Sequence, residues 1–498
     1  MATKKVYFNT IAQLAGKVST AFISIFLIKI LTNYLSVDDY GLYSKVYNYL
    51  SIFAVIADMG LFTITIREIS ANKDNKAIVQ KIIGNMMTIR MSLGIAIIFL
   101  SVGIAYFLPG YNSKLALYSI FITSFFVFFG LMNSAILSLL QAYLKTEFSF
   151  ISTTVGKLSN FAFVLLVIFV LFPKAMVASD PSLQFQSFLW LMFAGVFGNI
   201  VMTSIIYMYS RKVEKISFGF DLAHIKNLVK TSIPYGIAMF LNVVYFKIDV
   251  IILSLMEDKN IVNTSIGLYS VPMKIVEVGM LFGGLFLQSM LPLFTNAIKK
   301  KESEEMYSLV SRSYKLLFAF GIAIVGFSLA NGFGILSLVA NKEYLDHTKY
   351  IYNSLDSFNI VVFVFLFCFI SSIFTYILIA NNEQGRLLKV NFYLTILNII
   401  LNVALIPKFS FIGSSIATLI SQIVMLVYIY IVSRHIFRFN FMPSYTIKII
   451  FLGVIASFSN MLLHNLLHFS STMSLIVSFG IFAIIFFPGA YLAYVKTK

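Results

Sequence analysis

Fourteen apolar segments run through the chain, and they constrain its fold more than any other feature. A segment of about 20 apolar residues is long enough to cross the hydrocarbon core of a bilayer as an α-helix. Charged residues make up only 11% of the sequence, against about 25% in soluble proteins. So few charges could not cover the surface of a water-soluble fold. The sequence therefore predicts an all-α polytopic membrane protein with about 14 transmembrane helices.

Short connectors separate the predicted helices and contain Gly, Pro, Asn or charged residues. The segments are 10–31, 43–64, 82–107, 115–140, 150–172, 187–209, 230–255, 266–290, 314–340, 358–380, 388–406, 411–433, 446–468 and 473–495. No extramembrane domain fits between them. Neither a nucleotide-binding domain nor ATP-driven transport by this chain alone is therefore expected.

The basic residues are distributed unevenly between the two sides of the predicted bundle. If both termini are cytoplasmic, 24 of the 37 Lys and Arg residues fall in cytoplasmic segments and 6 in the opposite loops. Such an excess is typical of the cytoplasmic side of membrane proteins. The net charge of +17 is thus attributed to membrane orientation, and no nucleic-acid partner is expected.

A four-residue motif occurs at corresponding places in the chain. Gly41-Leu42-Tyr43-Ser44 opens the second predicted helix, and Gly267-Leu268-Tyr269-Ser270 opens the eighth, 226 residues later. Repeated halves of six helices share one orientation and place a site near the membrane midplane. The sequence predicts two pseudo-symmetric six-helix lobes around a central cavity plus two C-terminal helices. The predicted divisions are 1–210 (N-lobe), 211–229 (cytoplasmic basic linker), 230–437 (C-lobe) and 438–498 (helices 13 and 14).

Charged and polar residues inside the predicted helices are the candidate functional residues. Lipid does not solvate such side chains, so they face other helices or a water-filled cavity. The predicted substrate-binding cations are Lys17, Arg90, Lys157, Lys247 and Lys274. The predicted ion-coupling acids are Asp58, Asp249 and Glu277, and the predicted polar lining residues are Gln13, Asn160, Asn398 and Asn402. An excess of cations would attract an anionic ligand.

Simpler structural interpretations stand beside several of these assignments. Lys29 and Lys45 lie near helix ends and are expected to reach the headgroup region. Lys274 and Glu277 are three residues apart and could neutralise each other. The Asn residues of the eleventh helix could form hydrogen bonds between helices. The sequence predicts neither a catalytic centre nor a metal site.

Motifs along the whole chain resemble the bacterial polysaccharide-exporter or O-antigen flippase family (Wzx-like). This family belongs to the multidrug/oligosaccharidyl-lipid/polysaccharide exporter superfamily. The motifs are Tyr40-Gly41-Leu42-Tyr43, Ala57-Asp58-Met59-Gly60-Leu61, Lys247-Ile248-Asp249, Leu291-Pro292-Leu293-Phe294, Leu405-Ile406-Pro407 and Ile412-Gly413-Ser414-Ser415. They occur in the family's order.

The resemblance implies a flippase that moves an undecaprenyl-diphosphate-linked oligosaccharide from the inner to the outer leaflet of the bacterial inner membrane. It implies alternating access coupled to H⁺ or Na⁺, no organic cofactor, and cooperation with other polysaccharide assembly proteins. It does not imply an enzyme.

Two alternatives remain at this point. One is an ion-coupled exporter of drugs or metabolites in the same superfamily. The excess of cations over acids in the predicted helices disfavours a cationic drug as its substrate. The other is a membrane-embedded polysaccharide polymerase or ligase. Such enzymes usually carry catalytic Arg and His on a large external loop, whereas the longest predicted outer loop, 341–357, contains His347 and no Arg.

Overall fold

A computed structural model gives the arrangement of the helices. The structure describes the backbone of residues 2–466 and 471–496. Side chains are described in the same ranges, except for residues 2–15, 17, 234, 235, 238, 242, 463–466, 471, 472 and 496.

Fifteen α-helices follow one another along the described ranges. They are α1 (Ala2–Tyr34), α2 (Val37–Asp58), α3 (Leu61–Ala71), α4 (Lys76–Phe107), α5 (Lys114–Ala142), α6 (Thr146–Leu166), α7 (Lys174–Val177), α8 (Pro181–Ser210), α9 (Leu222–Met256), α10 (Val262–Lys300), α11 (Ser303–Val339), α12 (Ser354–Ala380), α13 (Gln384–Ser433), α14 (Pro443–Leu466) and α15 (Ser471–Lys496). A π-helical turn, Val167–Leu171, extends α6, and a 3₁₀ turn, Lys342–Leu345, precedes α12.

Within the described residues, every one of the fourteen apolar segments is helical; α2 and α3 share one segment, α13 contains two, and the short α7 lies between segments. Eleven helical stretches are long and apolar enough to cross a membrane, with α2 and α3 counted as one. The fifty residues of α13 contain two predicted segments, which are separated by a break at Ser410 (φ 52°, ψ −140°). The remaining two segments are α1 and α9. The predicted all-α polytopic fold is therefore confirmed.

Two compact units are formed, Met1–Ile266 and Gly267–Lys498. In the first unit, α5 packs on α2, α3, α4 and α8, while α6 packs on α1 and α8. The helix α9 packs on α2, α3 and α4 within the same unit. Buried apolar residues from α3, α4, α5 and α9, such as Leu61, Met86, Ile136 and Leu228, form its core. The division predicted at 211–229 stays a prediction.

In the second unit, α12 packs on α11 and α13, and the pair α14–α15 packs on α11. Tyr445 at the start of α14 donates a hydrogen bond to the Lys315 carbonyl of α11 at 2.7 Å. The start of α12 is fixed by a capping box, in which Asn353 and Asp356 each accept from the other's backbone N–H. The last two helices are thus an integral part of this unit.

Candidate functional site

The membrane crossing formed by α2 and α3 is interrupted immediately after Asp58. Met59 and Gly60 take left-handed φ values of 40° and 73°, a conformation that suits Gly and is uncommon for other residues. Gly236 of α9 packs against this break, where a Cβ atom would lie 2.6 Å from the Met59 backbone. Because the helical hydrogen bonds stop here, the Ala57 carbonyl is available to another donor.

Arg90 of α4 provides that donor. Its Nη1 donates to the Ala57 carbonyl at 3.1 Å, and its Nη2 donates to Asp58 Oδ1 at 2.6 Å. Ser134 Oγ accepts from the same Nη2 at 3.3 Å. The Arg90 side chain is fully buried, whereas the Asp58 side chain is 23% exposed. Two residues that the sequence placed in different roles therefore form one neutralised ion pair.

A cavity of about 490 Å³ lies beside this ion pair, between α2, α3, α5 and α8. Its polar lining residues are Asp58, Asn133, Ser134 and Asn199, and its apolar lining includes Ala54, Phe62, Phe126, Val127, Leu131, Leu137 and Met202. Neither amide atom of buried Asn133 has a hydrogen-bond partner among the described residues. Buried amides are normally hydrogen-bonded, so a polar molecule that reached Asn133 would add bonds that the protein alone does not make.

A second cavity of about 220 Å³ adjoins the first, because Phe62 and Leu137 line both. Its polar lining residues, all uncharged, are Thr20, Gln141, Thr146, Ser149 and Thr153. These residues lie on α1, α5 and α6, within or next to apolar stretches. The two cavities of the first unit thus place amide and hydroxyl groups between transmembrane helices, next to the ion pair of Asp58 and Arg90.

Lys45 of α2 contradicts the expectation that it reaches the headgroups. Its side chain is 1% exposed, and its Nζ donates to the Gly110 carbonyl at 2.7 Å and to Asn263 Oδ1 at 2.6 Å. The ammonium also lies 5.3 Å from the ring centroid of Tyr111. The loop after α4 and the first turn of α10 cover this lysine, which a count of residues to the helix end does not reveal.

Lys45→Met is expected to lower the free energy of unfolding by about 1–3 kcal/mol, because the Gly110 carbonyl and Asn263 amide oxygen lose a buried donor. Thermal unfolding of the purified protein in detergent measures this effect. Lys76→Met is the matched control, since Lys76 is exposed at the start of α4, and it should shift the midpoint little. Equal midpoints for both variants would contradict the structural role of Lys45.

The other candidate residues of the first unit lie on α6 and α9. Lys157 and Asn160 are half-buried on α6, where Asn160 packs so closely on α8 that a Cβ at Gly198 would lie 2.7 Å from its Cβ. Lys247 is half-buried and Asp249 is buried on α9. None of the four is among the described lining residues of the two cavities. Their predicted roles stay predictions.

Gln13 and Lys17 lie on α1, but their side chains are outside the described part of the chain. Their predicted roles also stay predictions.

In the second unit, Lys274 and Glu277 form an ion pair of 2.7 Å on α10. Their spacing of three residues allows this contact within one helix. Asn398 and Asn402 on α13 are fully buried. The Asn402 amide donates to the Asn398 carbonyl at 2.9 Å, and the Asn398 amide lies 3.5 Å from Ser421 Oγ. The first contact lies within the segment before Ser410, and the second joins the two segments of α13 on either side of Ser410.

Sequence reasoning did not select Asn199 of α8. Its amide donates to the Phe126 carbonyl at 2.8 Å, and the residue lines the larger cavity. The available signal was the single Asn of α8, which lies in the middle of its apolar segment. The proximity of Ser134 to Arg90 depends on how α4 and α5 are rotated against each other, which the sequence does not give.

Comparison with known proteins identifies the family. The model of the family described as polysaccharide biosynthesis protein matches residues 6–298, more than half of the chain. The chain belongs to this family. The predicted resemblance to polysaccharide exporters is thereby confirmed.

A relative within polysaccharide biosynthesis is the capsular polysaccharide biosynthesis protein CapF of Staphylococcus aureus. It is 25% identical over 227 residues, which are 45% of this chain and 54% of that protein. The match therefore spans about half the length of the relative.

Solved structures of other proteins show the same fold over most of this chain. The lipid II flippase MurJ superposes with a TM-score of 0.73 at 15% identity, and 98% of this chain and 99% of that chain are covered. An inward-facing multidrug resistance MATE transporter of the MOP superfamily gives a TM-score of 0.68 at 11% identity, with 86% and 97% covered. The fold is thus that of the flippases and exporters to which the sequence was likened.

Proposed function

We propose that the protein is a flippase that moves an oligosaccharide linked to undecaprenyl diphosphate from the inner to the outer leaflet. The supporting observation is the pair of adjoining cavities in the first unit, whose walls carry amide and hydroxyl side chains among apolar ones. Amides and hydroxyls both donate and accept hydrogen bonds, as the hydroxyl groups of a glycan require. In a member of a polysaccharide biosynthesis family, a glycan head group is the polar cargo that this lining suits.

The polyprenyl tail need not enter the protein, because lipid already solvates it. Only the diphosphate and the sugars have to be shielded from hydrocarbon. Arg90 and Lys274 are each paired with a carboxylate at 2.6 Å and 2.7 Å, so neither offers an uncompensated charge. We therefore do not propose Arg90 or Lys274 as a counter-charge of the diphosphate.

We further propose that protons drive transport and that Asp58 is the coupling acid. Asp58 is 23% exposed beside the larger cavity, and its carboxylate is already bonded to a guanidinium. The guanidinium holds this carboxylate in one place, so a proton that bound to it would compete with Arg90. Protonation would weaken the bond to Arg90, and so bias α2 and α4 towards another arrangement.

Asp58→Asn is expected to abolish the dependence of transport on a pH gradient, because the amide cannot gain or lose the coupling proton. Glu277→Gln is the matched variant, since Glu277 is also a partly exposed acid paired with a cation; it should keep the dependence. Both are compared with the wild type in proteoliposomes at equal reconstitution. Loss of the dependence in Glu277→Gln, with the dependence retained in Asp58→Asn, would place coupling in the second unit.

The flippase proposal is tested with purified protein in proteoliposomes that contain a short undecaprenyl-diphosphate-linked oligosaccharide. A pH or sodium gradient is imposed, and the leaflet that holds the sugar is probed from outside. Gradient-dependent transfer is the expected result. A panel of soluble organic ions is assayed in parallel, since the phenylalanines of the cavity also suit an amphiphilic drug. Export of such ions without transfer of any lipid-linked sugar would contradict the proposal.

The proposed activity also implies a location and partners for the protein. We propose that the protein lies in the bacterial inner membrane with both termini cytoplasmic, where the lipid-linked substrate is assembled. Other polysaccharide assembly proteins would supply the substrate and consume it after transfer.

Cysteine accessibility checks the orientation. Lys301→Cys and Lys259→Cys lie in predicted loops on opposite sides of the membrane. Of the two, only Lys301→Cys should be protected from a membrane-impermeant thiol reagent that is added outside.

A further inference from the structure

The connection between α8 and α9, residues 211–221, is fastened along α4. Thr88 Oγ1 donates to the Gly219 carbonyl at 2.7 Å, and the Asp221 N–H donates to Asn85 Oδ1 at 2.9 Å. Gly84 permits the approach, because a Cβ there would lie 2.7 Å from the Ser217 carbonyl oxygen. A connector with these contacts is held in one place against the helix.

Its place on α4 lies at the edge of the membrane. The apolar segment of α4 begins at residue 82, and Thr88 lies six residues further on, which is ~9 Å along the helix at 1.5 Å per residue. The connector therefore runs back along the first two turns of this predicted apolar segment.

The connector places apolar side chains on both of its sides. Val213 and Ile216 pack on the buried core of the first unit. Phe218, Phe220 and Leu222 instead point outward, with 63%, 77% and 66% of their surface exposed. A fold in water would bury such residues, whereas aromatic and apolar groups flanked by cations are typical of segments that lie in a membrane interface.

Exposed cations precede and follow the three apolar residues in the sequence. They are Arg211, Lys212, Lys215, Lys226 and Lys230. Lys226 and Lys230 follow Leu222 at intervals of four residues and so share its face of α9. We call these eight residues the linker patch.

The acidic and titratable neighbours do not cancel this positive charge. Glu214 is buried and contacts Gln80 and Tyr143, and Asp221 is paired with Lys81 at 2.6 Å. His224 lies 3.6 Å from Glu68.

We propose that the linker patch binds anionic phospholipid headgroups, with its three apolar side chains in the leaflet and its cations on the lipid phosphates. Each Lys or Arg near an anionic leaflet adds to the attraction. Because the contacts with α4 already order the connector, binding requires little further ordering. This proposal is independent of the transported substrate and concerns a different surface.

The test uses tryptophan fluorescence, since the chain has a single Trp, at position 190. Phe220→Trp in a Trp190→Phe background is reconstituted with equal amounts of phosphatidylcholine and phosphatidylglycerol. Brominated acyl chains, which quench Trp, are carried by one lipid or the other. We expect brominated phosphatidylglycerol to quench about two- to fivefold more strongly, and high salt to remove the excess. Equal quenching by both lipids would overturn headgroup selection, and no quenching by either would overturn contact with the leaflet.

Two controls make the result specific. Phe99→Trp reports from the same helix α4, where Phe99 is 72% exposed, and it should be quenched equally by both lipids. The triple variant Arg211→Gln, Lys212→Gln, Lys215→Gln should lose the excess at Phe220→Trp while quenching by phosphatidylcholine persists. If inorganic phosphate removed the excess more effectively than chloride at equal ionic strength, the patch would be a site for free phosphate, and the lipid assignment would be overturned.

Discussion

Arg90→Gln is expected to lower the free energy of unfolding by about 3–5 kcal/mol, the usual cost of removing one partner of a buried ion pair. The guanidinium is fully buried and is bonded to Asp58 and to the Ala57 carbonyl at the break after α2. Its loss leaves a carboxylate and a carbonyl without their donor. Thermal unfolding in detergent measures the change. The stability of Arg90→Lys should lie between those of the wild type and Arg90→Gln, because one ammonium cannot reproduce the two parallel hydrogen bonds of the guanidinium.

A double-mutant cycle tests whether the loss arises from the pair. The double variant Asp58→Asn, Arg90→Gln should be destabilised by less than the sum of the two single changes, since it holds no unpaired charge. Lys81→Gln serves as the control, because Lys81 and Asp221 form an exposed pair with 55% and 35% of their side-chain surface accessible. Its effect should stay below about 1 kcal/mol. Additive effects at Asp58 and Arg90 would mean that the two residues act separately.

The helices were predictable from sequence because the bilayer permits little else. A chain that crosses hydrocarbon must satisfy its backbone hydrogen bonds internally, so an apolar segment of membrane length becomes a helix. The segments on either side of Ser410 are predicted as two helices for the same reason, and the non-helical backbone at Ser410 separates them. Length and hydropathy thus determine the elements of this fold.

The contacts of the candidate site were not predictable in the same way. Sequence gives the depth of a charge in the membrane but not the direction in which its helix is rotated. Asp58 and Arg90 are 32 positions apart on different helices, so their pairing depends on how α2 and α4 pack. The same applies to Lys45, whose depth suggested contact with headgroups but whose partners are a loop carbonyl and the start of α10.

Gly130→Phe is expected to reduce transport at least about tenfold, equivalent to roughly 1.4 kcal/mol, without destabilising the fold. Gly130 of α5 lines the cavity of about 490 Å³. The nearest atom to a Cβ added there is Asn199 Nδ2 at 3.8 Å, an ordinary contact distance. A larger side chain would therefore extend into the space proposed for the glycan, and the loss should increase from Ala to Leu to Phe.

The same series at Gly103 separates occlusion of the cavity from general effects of bulk. Gly103 is exposed on α4, and no atom lies within 4 Å of an added Cβ, so Gly103→Phe should transport like the wild type. Unfolding midpoints for both series establish that the proteins fold. If Gly130→Phe folded and still transported at the wild-type rate, the cavity of the first unit would lie off the substrate's route. A loss that grows with side-chain size at Gly130 alone would place the cavity on that route, since only the filled volume differs along the series.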